Sequence, residues 1–590
     1  MTHRHSLSLL LTLTLAACAG AAEAPSPDGI DDIALPGGKA DLAGLTPCQE
    51  EEIVSWLNEP GTDVALLQAA SVHTRAARNL IAHRDGADGS FGTVDDDLFD
   101  NLVEVDDVSY VGPVAMEQLG AAVAARCTAP TTDASVEVIF SPQPFETSHL
   151  AKAIELMNGA ERSLDIAMYS FSDTRVRDAL IATAQRGISV RVIYDGASSD
   201  RTSTGGTLSA RLEDAGIEVR WINKIMHNKF MVVDGARSSL DQARSAWLMT
   251  GSGNWSGSAG STYDENTVVA HGHEELNLRY QAEFNHLWAH SRPVVWNESI
   301  APVSAIDIAS TDIPDDVNAD AVFTSANFRT YVSSRYGETF SVLRGHNTVA
   351  DRLVEIIGRA QHSIRIASGH LRSRPVAEAL TAAVRANPGL DIRIYLDQQE
   401  YVSDSANDKQ ERELAACLEA AGTSEAQIED CYDRGFMYSY AMMQEGIGLR
   451  FKYYAYHWDY HYAEQMHDKY ILVDDRWLAT GSYNLSDNAE HGTMENVALF
   501  DANGYPELVR AYAANFDRIW ETGRDDGHYE ALLADVNDGV DPFPIVFPAV
   551  ALTWDQVVTL KHDMAVNCSQ INTAPFRDNP NGHRTCYPTN

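Results

Sequence analysis

The sequence predicts two similar α/β domains in one polypeptide, and three observations carry that reading. From residue 136 onward, short β-branched runs alternate with amphipathic stretches. The same alternation returns after about 200 residues, which suits a duplicated domain rather than a solenoid. Each copy also ends in the same spaced set of polar residues. The first reads HNKFMVVD (His227, Lys229, Asp234), GSGN (Ser252, Asn254) and DEN (Glu265). The second reads HDKYILVD (His467, Lys469, Asp474), GSYN (Ser482, Asn484) and MEN (Glu495). In both, His to Asp spans 7 residues and Asn to Glu spans 11.

Taken from the N-terminus, residues 1–17 read as an export signal. His3, Arg4 and His5 precede an apolar run from Leu7 to Leu15 that is too short to remain as a bilayer span. The run leads into Leu15, Ala16, Ala17 and Cys18, which resembles the lipobox of bacterial lipoproteins. That resemblance implies a lipidated Cys18 and a protein anchored to the membrane or cell surface. Ordinary signal cleavage, giving a secreted protein, is the alternative. Residues 18–46 are rich in Ala, Pro, Gly and Asp without periodicity and read as a tether.

Residues 47–130 alternate helical patterns with an acidic loop, Asp85–Asp97. The loop lacks the full ligand pattern of a helix–loop–helix calcium site and reads as an exposed turn. The segment VSYVGPVAMEQL (Val108–Leu119) resembles half of a helix-hairpin-helix module, with Tyr110 in place of the first hairpin glycine and Gly112 retained. No Lys or Arg follows before Arg126, so a packing or protein-contact module is expected rather than a DNA clamp.

The first α/β domain spans residues 131–315. Val136–Phe140 reads as a strand, His149–Ala160 as an amphipathic helix and Ser163–Phe171 as a strand. A helix then runs to about Arg186 and a strand follows at Ser189–Asp195. The second domain, 316–545, repeats this with strands at Ala321–Ser325, Ser363–His370 and Asp391–Asp397 and a helix near Val349–Ala360. Copy one carries an inserted loop between Asp234 and Gly251. Copy two carries a larger one between Asp397 and His467, which includes the aromatic tract YYAYHWDYHY (Tyr453–Tyr462). That tract is either a packed loop or a wall of the substrate cleft, since Tyr and Trp offer apolar area with a polar tip. Residues 546–590 form a C-terminal extension.

Seven cysteines fit export. With Cys18 set aside, six remain and fall into local pairs: Cys48 with Cys127, Cys417 with Cys431, Cys568 with Cys586. No Cys/His cluster suggests zinc, and no cofactor or metal is expected. The 590 residues carry 84 acidic against 44 basic side chains, a net charge of −40, which repels nucleic acid and anionic membranes at long range. A solvating acidic shell is the expected reading, and a monomer is the expected state.

The repeated polar set has a chemistry of its own. His-x-Lys in a strand places both side chains on one face. The glycine-containing turns GSGN and GSYN can bring Ser and Asn to the same point. One His, one Lys, one Ser and one Asn converging make a phosphoryl site: Lys supplies charge without a metal, and Ser and Asn donate to non-bridging oxygens. Glu265 and Glu495 are expected to fix the tautomer of the histidine in their own copy, through its far ring nitrogen.

These motifs resemble the HKD motifs of the phospholipase D superfamily, over roughly residues 136–540. The resemblance implies two α/β halves, each a mixed sheet flanked by helices, sharing one central cleft. It implies that one histidine attacks phosphorus to give a phosphohistidine while the other protonates the leaving alcohol and then activates water or another alcohol. His227, Lys229, Asp234, His467, Lys469 and Asp474 would be catalytic; Ser252, Asn254, Glu265, Ser482, Asn484 and Glu495 would bind phosphate or orient. The expected substrate is phospholipid at a membrane surface, favoured by the lipobox, the two copies in one chain and the aromatic tract. An exported nuclease of the same superfamily is the alternative, since MHNKFMVVDG and TGSGNWS resemble its single-motif nuclease branch and the hairpin segment hints at DNA. Against it stand the charge of −40 and the lack of a basic, aromatic-interleaved groove.

Overall fold

Val- and Ile-rich strands such as SVRVIY and DIRIYLD are buried on both faces, which requires layers above and below each sheet. The computed structural model describes residues 45, 47–59, 61–93, 95–99, 101–124, 134–202, 205–295, 300, 303–539, 542–579 and 583–586. The export signal, Cys18, the tether apart from Leu45, and Cys127 lie outside the described residues. The chain divides into two units, residues 1–122 and 123–590.

In the larger unit, the first half builds an eight-stranded sheet: β1 (Ser135–Ser141), β2 (Ser163–Met168), β3 (Ser189–Tyr194), β4 (Glu218–Trp221), β5 (Lys229–Val233), β6 (Trp247–Gly251), β7 (Glu265–His271) and β8 (Arg292–Pro293). Their order is β1-β7-β6-β5-β2-β3-β4-β8. The second half supplies β9 (Ala319–Phe323), β10 (Ser363–Ser368), β11 (Asp391–Asp397), β12 (Gly448–Ala455), β13 (Lys469–Val473), β14 (Trp477–Gly481), β15 (Asn496–Asp501) and β16 (Val546–Leu552). Their order, β9-β15-β14-β13-β10-β11-β12-β16, repeats the first position for position. Within each sheet the β2-β3-β4 and β10-β11-β12 pairings are parallel and the others antiparallel. Both sheets are thus mixed, and the fold is the duplicated α/β architecture that the sequence predicts.

Helices cover both sheets: α1 (His149–Gly159) and α2 (Thr174–Gln185) in the first half, with α3 (Glu274–Ala289); α4 (Thr348–Gly358) and α5 (Arg374–Ala386) in the second, with α6 (Pro506–Trp520). The halves share a core in which Phe230, Tyr280 and Phe284 meet Tyr470, Tyr512 and Phe516. Buried polar contacts cross the same interface in matching pairs. Asn266 Nδ2 donates to Thr480 Oγ1 at 2.6 Å and Tyr512 Oη at 3.0 Å. Thr250 Oγ1 and Tyr280 Oη each donate to Asn496 Oδ1 at 2.9 Å. Such satisfied buried amides fix register between the halves.

Three strand assignments shift. The strands read to Phe171 and His370 stop at Met168 and Ser368, because the residues beyond leave the ladder: Ser170 N–H donates to the Asn254 side chain and His370 N–H to Ser368 Oγ. The strand read to Ser325 ends at Phe323, and Thr324 turns to donate to Thr493 O.

The smaller unit has helices at Pro47–Asn58, Val64–Ala69, Thr74–Arg84, Leu102–Asp107 and Pro113–Val123. Tyr110, in the hairpin between the last two, holds φ +70°, the left-handed conformation a glycine would take freely. The acidic loop is knit by its own carboxylates: Asp88 accepts from Ser90 N and Asp96 from Gly92 N. Disulfides join Cys417 to Cys431 and Cys568 to Cys586. Among the described residues no helix is long and apolar enough to cross a membrane.

Candidate active site

The site lies where β5 and β13 begin. The strands start at Lys229 and Lys469, not at the histidines; His227 and His467 stand two residues earlier, in the approach. Each buried lysine turns its ammonium back to its own motif, Lys229 Nζ to His227 O at 2.7 Å and Lys469 Nζ to His467 O at 2.8 Å. Those approaches are held by the carboxylates closing the neighbouring parallel strands: Asp195 accepts from Met226 N at 3.1 Å and Asp397 from Met466 N at 3.0 Å.

The carboxylates that face the histidines are crossed between the copies, which corrects the expectation of pairing within each copy. His467 Nδ1 meets Glu265 Oε2 at 2.8 Å. His227 Nδ1 lies 2.7 Å from Glu495 Oε1, close but off the line of a well-aligned hydrogen bond. The backbone explains the exchange. Ile225 and Met226 pair in parallel with Thr493 and Met494, just ahead of Glu495. Asp264, just ahead of Glu265, pairs with Met466, and His467 N donates to Asp264 O at 2.9 Å. A Lys452–Asp264 ion pair at 2.9 Å braces the second junction.

Ser252 and Ser482 are fully buried. Ser482 Oγ donates to Glu495 Oε2 at 2.6 Å and accepts from Asn496 N at 3.0 Å. Ser252 Oγ accepts from Asn266 N at 2.9 Å and donates to Asn266 O at 3.3 Å. Ser482 thus contacts Glu495 directly, whereas Ser252 braces the backbone of Asn266 beside Glu265. Glycine precedes each because a Cβ at Gly251 or Gly481 would lie 2.2 Å from the carbonyl of Asn266 or Asn496. Asn254 accepts from Ser170 N at 3.3 Å, and its carbonyl contacts His149 Nε2 at 2.9 Å. Asn484 is half-buried, and its Oδ1 has no hydrogen-bond partner.

Asp234 and Asp474 do not join the histidines. They follow β5 and β13 at the opposite end, about 16 Å of strand beyond each lysine at ~3.3 Å per residue. Asp234 accepts the backbone N–H groups of Glu161, Arg162 and Ser163; Asp474 accepts those of Gln361, His362 and Ser363. Both sit at positive φ, +56° and +54°. They tie each strand to the start of its neighbour, and their place among the catalytic residues is corrected accordingly.

Sequence reasoning missed several residues here. The Tyr169 ring packs on His227 with centroids 4.5 Å apart, and Tyr263 lies 6.3 Å from His467. Burial is the largest cause that raises both phenols. The aromatic tract is divided: Tyr453 and Tyr454 are core residues, whereas Tyr460 is 72% exposed.

Residues 153–288 and 353–520, just over half of the chain, match the family model described as "Cardiolipin synthase, PLD-like domain". The chain belongs to the phospholipase D-like family. A mitochondrial cardiolipin hydrolase of Xenopus laevis is 31% identical over 158 residues, 26% of this chain and 69% of the relative. The one from Danio rerio is 33% identical over 155 residues, 26% of this chain and 62% of the relative. Among solved structures, the phospholipase D family member Nuc from Salmonella typhimurium has 26% identity and a TM-score of 0.23, covering 27% of this chain and 98% of that one.

This phospholipase D-like phosphodiesterase holds its ionisable groups near the point of exchange. Burial, then the charges of Lys229, Lys469, His467 and His370, keep His227 well below the ordinary imidazole value. Burial, then Lys469, Lys229 and His370, do the same to His467. Burial brings Lys229 down to about 7 and Lys469 to about 8, and lifts Glu265 to about 7 and Glu495 to about 8. An uncharged His227 with a lone pair at Nε2 suits attack on a phosphodiester anion, and the anion's charge, once bound, favours the protonated forms of His467, Lys229 and Lys469.

Proposed function

We propose that the protein hydrolyses phospholipid head groups at a membrane surface, from an exported position anchored through Cys18. In the first step His227 Nε2 attacks phosphorus, the P–O bond to the leaving alcohol breaks, and that oxygen takes the proton of His467 Nε2. In the second, water attacks phosphorus, gives a proton to His467, and the P–N bond to His227 breaks, releasing phosphatidic acid. Lys229 and Lys469 carry the charge on the non-bridging oxygens without a metal. Asn254 and Asn484 lie at the turns and are assigned to the same oxygens, and Glu265 and Glu495 hold the two rings.

The observation that carries the lipid reading is Tyr460. It is 72% exposed, packs edge-on against Trp458 at 4.3 Å, and belongs to the insertion that leads into His467. An exposed Tyr460 backed by the half-buried Trp458 suits an interface, where rings bury their apolar body and keep the polar tip wet. The cardiolipin hydrolase relatives support a phospholipid substrate for this chain. The deciding assay offers phosphatidylcholine vesicles, cardiolipin vesicles and plasmid DNA side by side in EDTA. Lipid turnover with intact plasmid is expected. Plasmid cleavage without lipid turnover overturns the lipid reading in favour of the nuclease.

A further inference from the structure

The two halves match closely, but one part of the cleft exists only in the second. β2 pairs with β5 so that Met168 faces Lys229, and β10 pairs with β13 so that Ser368 faces Lys469. Two residues further on, where the chain has left the ladder, Ser170 holds the matching place in the first half and His370 in the second. Gly369, between Ser368 and His370, keeps this segment against the approach to His467. A Cβ on it would lie 3.0 Å from Met466 O and 4.0 Å from His467 Cα.

His370 is held by a buried carboxylate. Its Nδ1 meets Glu400 Oε1 at 3.0 Å, and Glu400 is fully buried. The same carboxylate accepts from Leu371 N at 3.1 Å and Arg372 Nε at 2.8 Å, while Ser439 donates to its carbonyl at 2.5 Å. Burial raises the Glu400 carboxyl, but contact with His370 and Arg372 brings it down to about 2, so it remains an ionised acceptor. A ring tied at Nδ1 to a carboxylate presents Nε2 as its free nitrogen. This is a third histidine–glutamate pair, its imidazole more exposed than those of the first two, and Ser170 holds the matching place in the first half.

We propose that His370 is a specificity-determining residue that selects water over alcohols as the acceptor of the phosphoryl group. This rests on the reading above, with His227 as nucleophile and His467 as base. A water molecule has two O–H bonds. One proton passes to His467 Nε2 as the new P–O bond forms and the P–N bond to His227 breaks. The other O–H stays intact and donates to His370 Nε2, so two imidazoles orient the attacking oxygen. An alcohol has a single O–H and satisfies only one of them.

The test uses the full chain, bis(p-nitrophenyl) phosphate and a fixed mixture of water and ethanol, with product esters counted by phosphorus NMR. In His370→Leu the ratio of ethyl ester to hydrolysis product is expected to rise about five- to tenfold, the size of one lost hydrogen bond. His370→Gln, which keeps an acceptor oxygen, should fall between, and it serves alone if the leucine variant does not fold. An unchanged ratio in the folded variants, with both products slowed alike, overturns the proposal. Phosphoryl label found on His467 instead of His227 in quenched wild-type enzyme places the fault in the assignment of roles.

Discussion

His227 and Glu495, one from each copy of the duplicated motif, meet at 2.7 Å between Nδ1 and Oε1, and His467 and Glu265 repeat the exchange at 2.8 Å. Neither copy holds its own histidine, so each half completes the site of the other. Glu265→Gln and Glu495→Gln are therefore each expected to lower kcat by about 10³-fold or more, since an amide there stabilises the wrong tautomer. Steady-state rates on a soluble phosphodiester, with melting curves to confirm folding, check this. Near-normal turnover in either variant contradicts the orienting role.

Much of this was legible in the sequence. Six polar residues repeating in order marked the site, and the alternation of patterns marked both sheets. The crossing was not legible, because it depends on Thr493–Met494 lying beside Ile225–Met226, a contact between residues far apart in the chain. His370 gave no repeat signal, because copy one has Ser170 at that place. The displacement of Asp234 and Asp474 could have been foreseen, since an unbroken five-residue strand separates each from the histidine end.

Anion binding should consume protons. Lys229 and Lys469 lie at about 7 and about 8 in the empty cleft, and a bound phosphate mimic favours their charged forms. Depressed lysines are protonated below those values and neutral above, so vanadate or phosphate should bind more weakly as pH rises through 7 to 8. Calorimetry in buffers of different ionisation heat is expected to show net proton uptake near pH 7.5, within that window. Binding independent of pH from 6 to 9 would mean the lysines are charged throughout.

Asp234→Ala should act on stability. Three backbone N–H groups lose an ionised acceptor, at a cost of about 3 kcal/mol, and alanine tolerates the positive φ poorly. The expected result is a lower unfolding midpoint in urea with kcat of the folded fraction within about twofold of the wild type. A stable but inactive protein would return Asp234 to the catalytic set.

The aromatic rim should matter for bilayers alone. Removing Tyr460 and Trp458 by Tyr460→Ser and Trp458→Ser is expected to weaken action on vesicles about tenfold or more while sparing a short soluble phosphodiester. Equal losses on both substrates would show the pair to be packing. A greater loss on single-stranded DNA would point to base stacking.

The two-histidine mechanism requires a covalent phosphoryl group at His227. With p-nitrophenol as leaving group no acid is needed in the first step, so His467→Ala should still form the adduct and fail to hydrolyse it. Rapid quench and peptide mass spectrometry are predicted to find a phosphoryl group on His227 in His467→Ala, none in His227→Ala, and negligible turnover by either. Label on His467 in the His227→Ala variant would reverse the roles, and substantial turnover by either variant would contradict the two-histidine mechanism itself.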